Sequence, residues 1–293
     1  MKLYKSGSIN TAKKRHNFRF TKSLGQNFLT DINIINAIIE SSLIDEKSLV
    51  VEIGPGMGAL TEGLTEVAGH VTAIEIDKNL IPVLEENFRD IKNFSLIQGD
   101  VLKVDIKKLI EDECEGLDFE PQSIRVVGNL PYYITTPIIM RFLEEEIPVD
   151  SITVMMQKEV GERILAEPAT KAYGVLSLAV GYYCTIAQVV KAPKEAFVPR
   201  PKVDSIVLRL DLREKKPVDL KSEKLFFEVI RSGFGQRRKT MNNSLAGVAG
   251  LSKENIEEVL SEVNIDGGRR AETLSMGEFA VVANGIWDYL ART

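Results

Sequence analysis

Cysteine and histidine are scarce in this 293-residue chain: Cys114 and Cys184 stand far apart, and His16 and His70 are its two imidazoles. No CxxC pair or mixed Cys/His ligand spacing occurs, which argues against a metal site and for ordinary thiols in a reducing compartment. No apolar run reaches the length of a membrane span, and the N-terminus is basic without the apolar core of a signal peptide. Internal repeats and low-complexity tracts are also missing. The expectation is therefore a cytoplasmic protein that needs neither metal nor membrane. Acidic residues are absent from residues 1–30, which hold seven Lys or Arg. The rest of the chain carries 30 basic against 42 acidic residues, so a net charge of -5 conceals a basic arm on an acidic body. Such an arm is either a solvated tail or a phosphate-facing segment.

A compact chain of this length buries roughly 75% of its unfolded surface and has room for two domains. Residues 1–22 have the composition of a flexible basic arm. Residues 23–212 alternate apolar strand-like runs with helical periods, and residues 213–293 read as helices alone. Strands are predicted at 49–53, 71–75, 94–98, 124–127 and 152–156, each continuously apolar, the mark of a parallel sheet covered on both faces. Two further strand-like runs, 186–190 and 203–212, flank a loop containing Pro193, Pro199 and Pro201 and suit a sheet edge. Asp31 is placed to cap a helix with an apolar face of Ile34, Ile35, Ile38 and Ile39. Thr136 and Pro137 supply a cap and a first-turn proline for the helix after the fourth strand. Beyond 213, helices are expected over 223–231, 237–249, 253–262 and 276–290.

Glu52-Ile53-Gly54-Pro55-Gly56-Met57-Gly58 joins the first strand to its helix, where glycines permit a sharp turn and close approach of a ligand. A dinucleotide-binding turn looks similar, including an acidic residue about 20 positions on, here Glu75, suited to ribose hydroxyls. Pro55, however, removes an N–H that a pyrophosphate would use, and Glu52 adds a carboxylate. A positively charged cofactor, S-adenosylmethionine, fits better. Asp100, ending the third strand, is suited either to the adenine amine or to capping the segment that follows.

Gly128-Asn129-Leu130-Pro131-Tyr132-Tyr133 follows the fourth strand, at the sheet edge where open α/β folds bind ligands. An amide, a proline-fixed backbone and an aromatic face meet there. They suit an adenine held edge-on while a methyl group is delivered to its amine. The Asn129 oxygen and the Leu130 carbonyl can each accept one N–H, so that positioning carries the transfer. Tyr132 would stack on one face of the base and Phe197 on the other. Neither histidine lies in a catalytic motif, so the released proton goes to solvent. Arg237, Arg238 and Lys239, with Arg231 nearby, fall at a predicted helix start, where cations oppose the macrodipole. Phosphate binding explains them better than a solvated face.

With these motifs, and with Gly25-Gln26-Asn27-Phe28-Leu29, Phe197-Val198-Pro199-Arg200-Pro201-Lys202-Val203-Asp204-Ser205 and Phe234-Gly235-Gln236-Arg237-Arg238-Lys239-Thr240, the chain resembles the bacterial small-subunit (16S) rRNA adenine dimethyltransferases. The resemblance implies a Rossmann-like S-adenosylmethionine-dependent methyltransferase, with a seven-stranded sheet and a small helical C-terminal domain. It implies action, as a monomer, on two adjacent adenines near the 3′ end of 16S rRNA in immature small subunits. Carried over by position, the cofactor contacts are Asn27, Leu29, Gly54, Glu75, Asp100 and Asn129, with Gly56, Ile76 and Val101 beside them. Tyr133 departs from the family, where Asn is frequent. Two alternatives share these motifs: a 23S rRNA adenine methyltransferase of the macrolide-resistance type, and a small-subunit assembly factor with secondary catalysis.

Overall fold

The computed structural model of the chain describes Leu3, Tyr4, Gly7 and residues 25–236 and 238–292. Nearly all of the arm expected over 1–22, together with Arg237, lies outside the described residues. The first strand, β1 (Phe28–Leu29), leads into α1 (Ile32–Ser41), whose N-cap Asp31 accepts the Asn33 N–H at 2.9 Å. Ile34, Ile35 and Ile38 fall on one face of α1 and are buried. Then come β2 (Ser48–Ile53), α2 (Ala59–Val67), β3 (His70–Glu75), α3 (Ile81–Phe88) and β4 (Phe94–Gln98). Next are α4 (Ile106–Gly116), β5 (Ser123–Asn129), α5 (Thr135–Glu144), β6 (Ser151–Gln157) and α6 (Lys158–Ile164). The series continues with α7 (Val175–Tyr183), β7 (Cys184–Ala192), β8 (Phe197–Val198) and β9 (Ser205–Leu212).

Seven strands form one sheet in the order β4-β3-β2-β5-β6-β9-β7. The first five of these are parallel, and β9 pairs antiparallel with β6. Every residue of β2 and β3 is buried, as their unbroken apolar runs require of strands covered on both faces. The chain winds outward from β2 to β4 and then returns to β5 on the other side of β2. The carboxyl ends of β2 and β5 therefore flank the crevice where such sheets bind ligands. A separate two-stranded ribbon pairs β1 with β8, Phe28 opposite Val198 and Leu29 opposite Phe197.

The start of α5 differs from the sequence expectation. The helix begins at Thr135, so Thr136 is inside it, and no side chain caps it. A turn from Pro131 to Ile134 feeds it directly, with the Pro131 carbonyl accepting from Ile134 N–H and Thr135 Oγ1, both at 3.1 Å.

The chain divides into two compact units, Met1–Gly161 with Thr185–Leu212, and Glu162–Cys184 with Arg213–Thr293. One uninterrupted domain over 23–212 is thus corrected: the segment containing α7 groups with the C-terminal helices. Its aromatic end explains why. Tyr182 and Tyr183 are buried against Phe226 and Phe227, and both hydroxyls donate to Glu223. The Lys216 ammonium lies 4.2 Å from the centre of the Tyr183 ring.

In this second unit α8 (Glu223–Gly235) is followed by α9 (Met241–Ser244), α10 (Lys253–Glu262) and α11 (Met276–Arg292). A capping box starts α11, where Ser275 Oγ accepts the Glu278 N–H and Glu278 Oε2 accepts the Ser275 N–H at 2.8 Å. The continuous helix expected over 237–249 is instead the four-residue α9 and a 3₁₀ turn, Val248–Gly250. Left-handed Gly247 separates the two.

Candidate active site

The carboxyl ends of β2, β3, β4 and β5 surround a cavity with about 1080 Å³ of empty space, partly open to solvent. Gly54, Gly56, Glu75, Ile76, Asp100, Val101, Asn27, Leu29 and Asn129, all nine expected cofactor contacts, line it. Leu130, Pro131 and Tyr132 line it too. The strand ends carry these residues because each βα turn breaks the apolar run where the sheet stops.

Within the glycine turn, Gly54 and Gly56 have φ of +68° and +61°, the left-handed region that side chains resist. A Cβ on Gly56 would lie 2.9 Å from the Phe28 ring, whereas nothing stands within 4 Å of one on Gly54. Gly54 therefore leaves the backbone open toward a ligand, and Gly56 lets β1 close over the turn. Glu75 fixes that turn: its Oε2 accepts Gly56 N–H at 3.1 Å and its Oε1 accepts Asp77 N–H at 2.8 Å. Burial pushes the Glu75 carboxyl up to about 7 against the pull of these N–H groups.

Glu52 is fully enclosed, and burial, reinforced by the Glu75 charge, pushes its carboxyl up to about 8 although Thr61 Oγ1 donates to it at 2.6 Å. Asp100 spends Oδ1 on the Leu102 N–H at 3.0 Å, closing the turn after β4, while Oδ2 meets only exposed Lys103 at 3.7 Å. One Asp100 oxygen thus caps the turn, and the other has no hydrogen-bond partner among the described residues.

Asn129 ends β5, and its Nδ2 donates to the Asn27 backbone carbonyl at 2.9 Å. That bond commits the amide nitrogen, and Oδ1 has no hydrogen-bond partner among the described residues. Asn27 is held in turn by its own Nδ2 bond to the Gly25 carbonyl at 2.9 Å. Tyr132 is half-buried and its hydroxyl is tied to buried Ser205 Oγ at 2.8 Å, which fixes the ring plane.

Two groups of expected site residues lie elsewhere. Phe197 is only 2% exposed and belongs to the core with Leu29, Ile34, Val127, Met155 and Val207. Pairing explains this, since ribbon side chains alternate: Leu29 and Phe197 face one core cluster, Phe28 and Val198 the other. The expectation that Phe197 covers the second face of a base is thus corrected. Arg231, Arg238 and Lys239 are exposed in the second unit. Arg238 and Lys239 lie between the C-terminal end of α8 and the Thr240 N-cap of the four-residue α9, rather than inside the start of a long helix.

Three contributors were not among the expected site residues. Leu3 lines the cavity, and its N–H donates to Glu62 Oε2 at 3.0 Å. Phe28 packs on the glycine turn. Arg141 of α5 reaches the Val101 carbonyl with Nη1 while its Nε holds Glu145 at 3.0 Å, so α5 tethers the loop after β4.

The sequence profile of the ribosomal RNA adenine dimethylases matches residues 17–285. The chain belongs to that family. It is 50% identical to ribosomal RNA small subunit methyltransferase A of Clostridioides difficile (strain 630), over 93% of each chain. Identity to the protein of the same name from Oceanobacillus iheyensis is 45%, over 95% of this chain and 94% of that one. The fold is similar to a dimethyladenosine transferase of Plasmodium falciparum, with TM-score 0.73 and 23% identity over 87% of this chain and 95% of that one. It is also similar to the 23S rRNA methyltransferase ErmE, at TM-score 0.66 and 25% identity over 88% and 99%.

The methyl donor of these dimethylases is S-adenosylmethionine, and the cavity fits it. Glu52, Glu75 and Asp100 line the dimethylase cavity, while no Lys, Arg or His does among the described residues. Acceptors without a cation beside them suit an ammonium and ribose hydroxyls rather than a pyrophosphate.

Proposed function

We propose that the chain transfers methyl groups from S-adenosylmethionine to the exocyclic amines of two adjacent adenines near the 3′ end of 16S rRNA. The products are N6,N6-dimethyladenosines. The carrying observation is the Asn129 amide, oriented by the Asn27 carbonyl with Oδ1 left to accept, at the wall of a carboxylate-lined cavity.

When bound, S-adenosylmethionine supplies a methyl group activated by a sulfonium. Asn27, Leu29, Gly54, Gly56, Glu75, Ile76, Asp100 and Val101 hold it. An adenine amine is a poor nucleophile because its lone pair is delocalised into the ring. Asn129 Oδ1 and the Leu130 carbonyl each accept one of its N–H groups, which localises the pair and aims it. Positioning of this kind contributes several kcal/mol or more without an acid or base. Tyr132 stacks on the base, its plane set by Ser205. The proton departs to solvent, as no imidazole is among the described lining residues.

The target adenine leaves its stack to enter, at a cost of a few kcal/mol. Arg231, Arg237, Arg238 and Lys239 contact phosphates. We extend the proposal to a cytoplasmic monomer acting on immature small subunits without a metal. Among the described residues no cluster of three His, Cys, Asp or Glu could hold a metal, and no helix is long and apolar enough to cross a membrane.

The large-subunit alternative is not favoured: the relatives at 45–50% identity are small-subunit enzymes, against 25% for the 23S enzyme. The deciding experiment offers labelled cofactor with unmethylated small-subunit particles or large-subunit rRNA and identifies the modified nucleoside by mass. Dimethyladenosine in the small subunit is expected. Transfer confined to large-subunit rRNA, or no transfer, would sink the proposal.

A further inference from the structure

Tyr133 is not used by the site described above, yet it is among the most exposed large apolar side chains, at 57%. A single exposed aromatic is ordinary on a protein surface; the position of this one is not. It occupies the third place of the Pro131–Ile134 turn, directly after Tyr132, whose hydroxyl is anchored on Ser205. The two neighbours are treated oppositely. Tyr132 is half-buried and lines the cavity, while nothing hydrogen-bonds the Tyr133 hydroxyl among the described residues.

The Tyr133 ring lies along the cavity rim. A Cβ on Gly25 would sit 3.7 Å from its Cδ1 and Cε1 and 3.8 Å from Pro131 Cβ, and both Gly25 and Pro131 line the cavity. One edge of the ring is thus seated on the rim and the rest is presented to solvent. The turn is rigid, since its closing carbonyl accepts two bonds and α5 follows at once. A rigid aromatic face at the mouth of a base pocket has a natural complement. It is the base next in the strand to the one inside, exposed once its neighbour has been pulled out of the stack.

We propose that the Tyr133 ring is the stacking platform for the nucleobase adjacent to the target adenine, and so sets the register of the RNA strand at the cavity mouth. The inference rests on the function proposed above, in which that adjacent base is itself a substrate. Tyr133 then acts as a positioning residue: it holds the waiting adenine while the first is methylated and favours completion of both before release.

The test uses the full-length protein, unmethylated small-subunit particles and labelled S-adenosylmethionine, with wild type, Tyr133→Ala and Tyr133→Phe in parallel. Loss of one base-aromatic stack is expected to raise KM for the particle about tenfold in Tyr133→Ala, leaving kcat within about twofold. The KM for S-adenosylmethionine should not move. The share of rRNA carrying a single dimethylated adenine should rise, and Tyr133→Phe should match wild type in every respect. A Tyr133→Ala enzyme with wild-type particle KM and product distribution overturns the inference. So does a Phe variant as poor as Ala, which would assign the effect to the hydroxyl. So does a change confined to the cofactor KM. If wild type itself transfers nothing to these particles, the function proposed above fails and this inference falls with it.

Discussion

Replacing Asn129 separates the bond its amide makes from the role proposed for it. In Asn129→Ala both the donor to Asn27 and the proposed acceptor for the amine are lost. In Asn129→Asp an acceptor remains, but a carboxylate oxygen now faces the Asn27 carbonyl across the 2.9 Å gap that the N–H had bridged. Two acceptors repel at that distance, and a partly buried carbonyl left unpaired costs about 1–3 kcal/mol. The Asp side chain must then rotate away from the orientation that suits the target, and methyl transfer should fall about 10- to 100-fold. Loss of a positioned polar group outright costs about 10²–10³ in kcat, so Asn129→Ala should be worse than Asp.

The assay is transfer from labelled cofactor to unmethylated small-subunit particles under single-turnover conditions, with cofactor affinity measured separately by calorimetry. The expected order is wild type, then Asp, then Ala, with cofactor affinity changed far less than rate. An Ala variant within about threefold of wild type would refute a positioning role for Asn129. An Asp variant as fast as wild type would refute the orienting role of the Asn27 carbonyl.

Glu52, with its carboxyl raised from 4.5 to about 8 by burial, stays protonated in the fold where the unfolded chain ionises. Stability is therefore lost as pH rises from about 4.5 through about 8, and Glu52→Gln should stabilise the ligand-free protein by a few kcal/mol at pH 8 and hardly at pH 4.5. A melting-temperature difference that is flat with pH contradicts this. Arg141→Met removes the tether between α5 and the Val101 carbonyl and should weaken S-adenosylhomocysteine binding about tenfold by calorimetry. Unchanged affinity would show that the loop holds itself. Phe197→Ala should cost about 3–5 kcal/mol of folding stability in chemical denaturation, as expected of a core aromatic. Near-wild-type stability with selectively lost activity would return Phe197 to the target pocket. Neutralising Arg238 and Lys239 together should flatten the salt dependence of rRNA binding, lowering the log–log slope by about 1–2. An unchanged slope would place these exposed cations away from phosphates.

The parts legible in the sequence were those set by local chemistry. The glycine turn, Glu75, Asp100 and Asn129 each sit at the end of an apolar run, so strand periodicity alone brought them to one sheet edge. The helix of Lys253–Glu262 and the cap on Met276–Arg292 were readable for the same reason, since caps act within one turn. What escaped depends on distant backbone. The orienting partner of Asn129 is a carbonyl 102 positions away, and carbonyls leave no mark on a sequence. The inward turn of Phe197 follows from a two-residue strand, too short to show alternation. Arg141 carries no local sequence mark, and only tertiary contact reveals its carbonyl partner. Grouping of Glu162–Cys184 with the last helices depends on Tyr182 and Tyr183 meeting Phe226 and Phe227, aromatics separated by the whole β7–β9 segment.

The β1–β8 ribbon gives the site a place in time as well as space. Thr30 donates to the Ala196 carbonyl across 166 positions, and this junction steadies the segment whose carbonyl orients Asn129. Closing a loop of that length is entropically costly. During synthesis the glycine turn, Glu75 and Asp100 emerge long before Phe197, yet the wall facing them is not secured until Phe197 and Val198 have been made. A chain halted short of Phe197 would carry every residue that lines the cavity and still lack the strand that pairs with Phe28 and Leu29. The secured wall thereby depends on a pairing between the first strand of the chain and one made near the end of its unit.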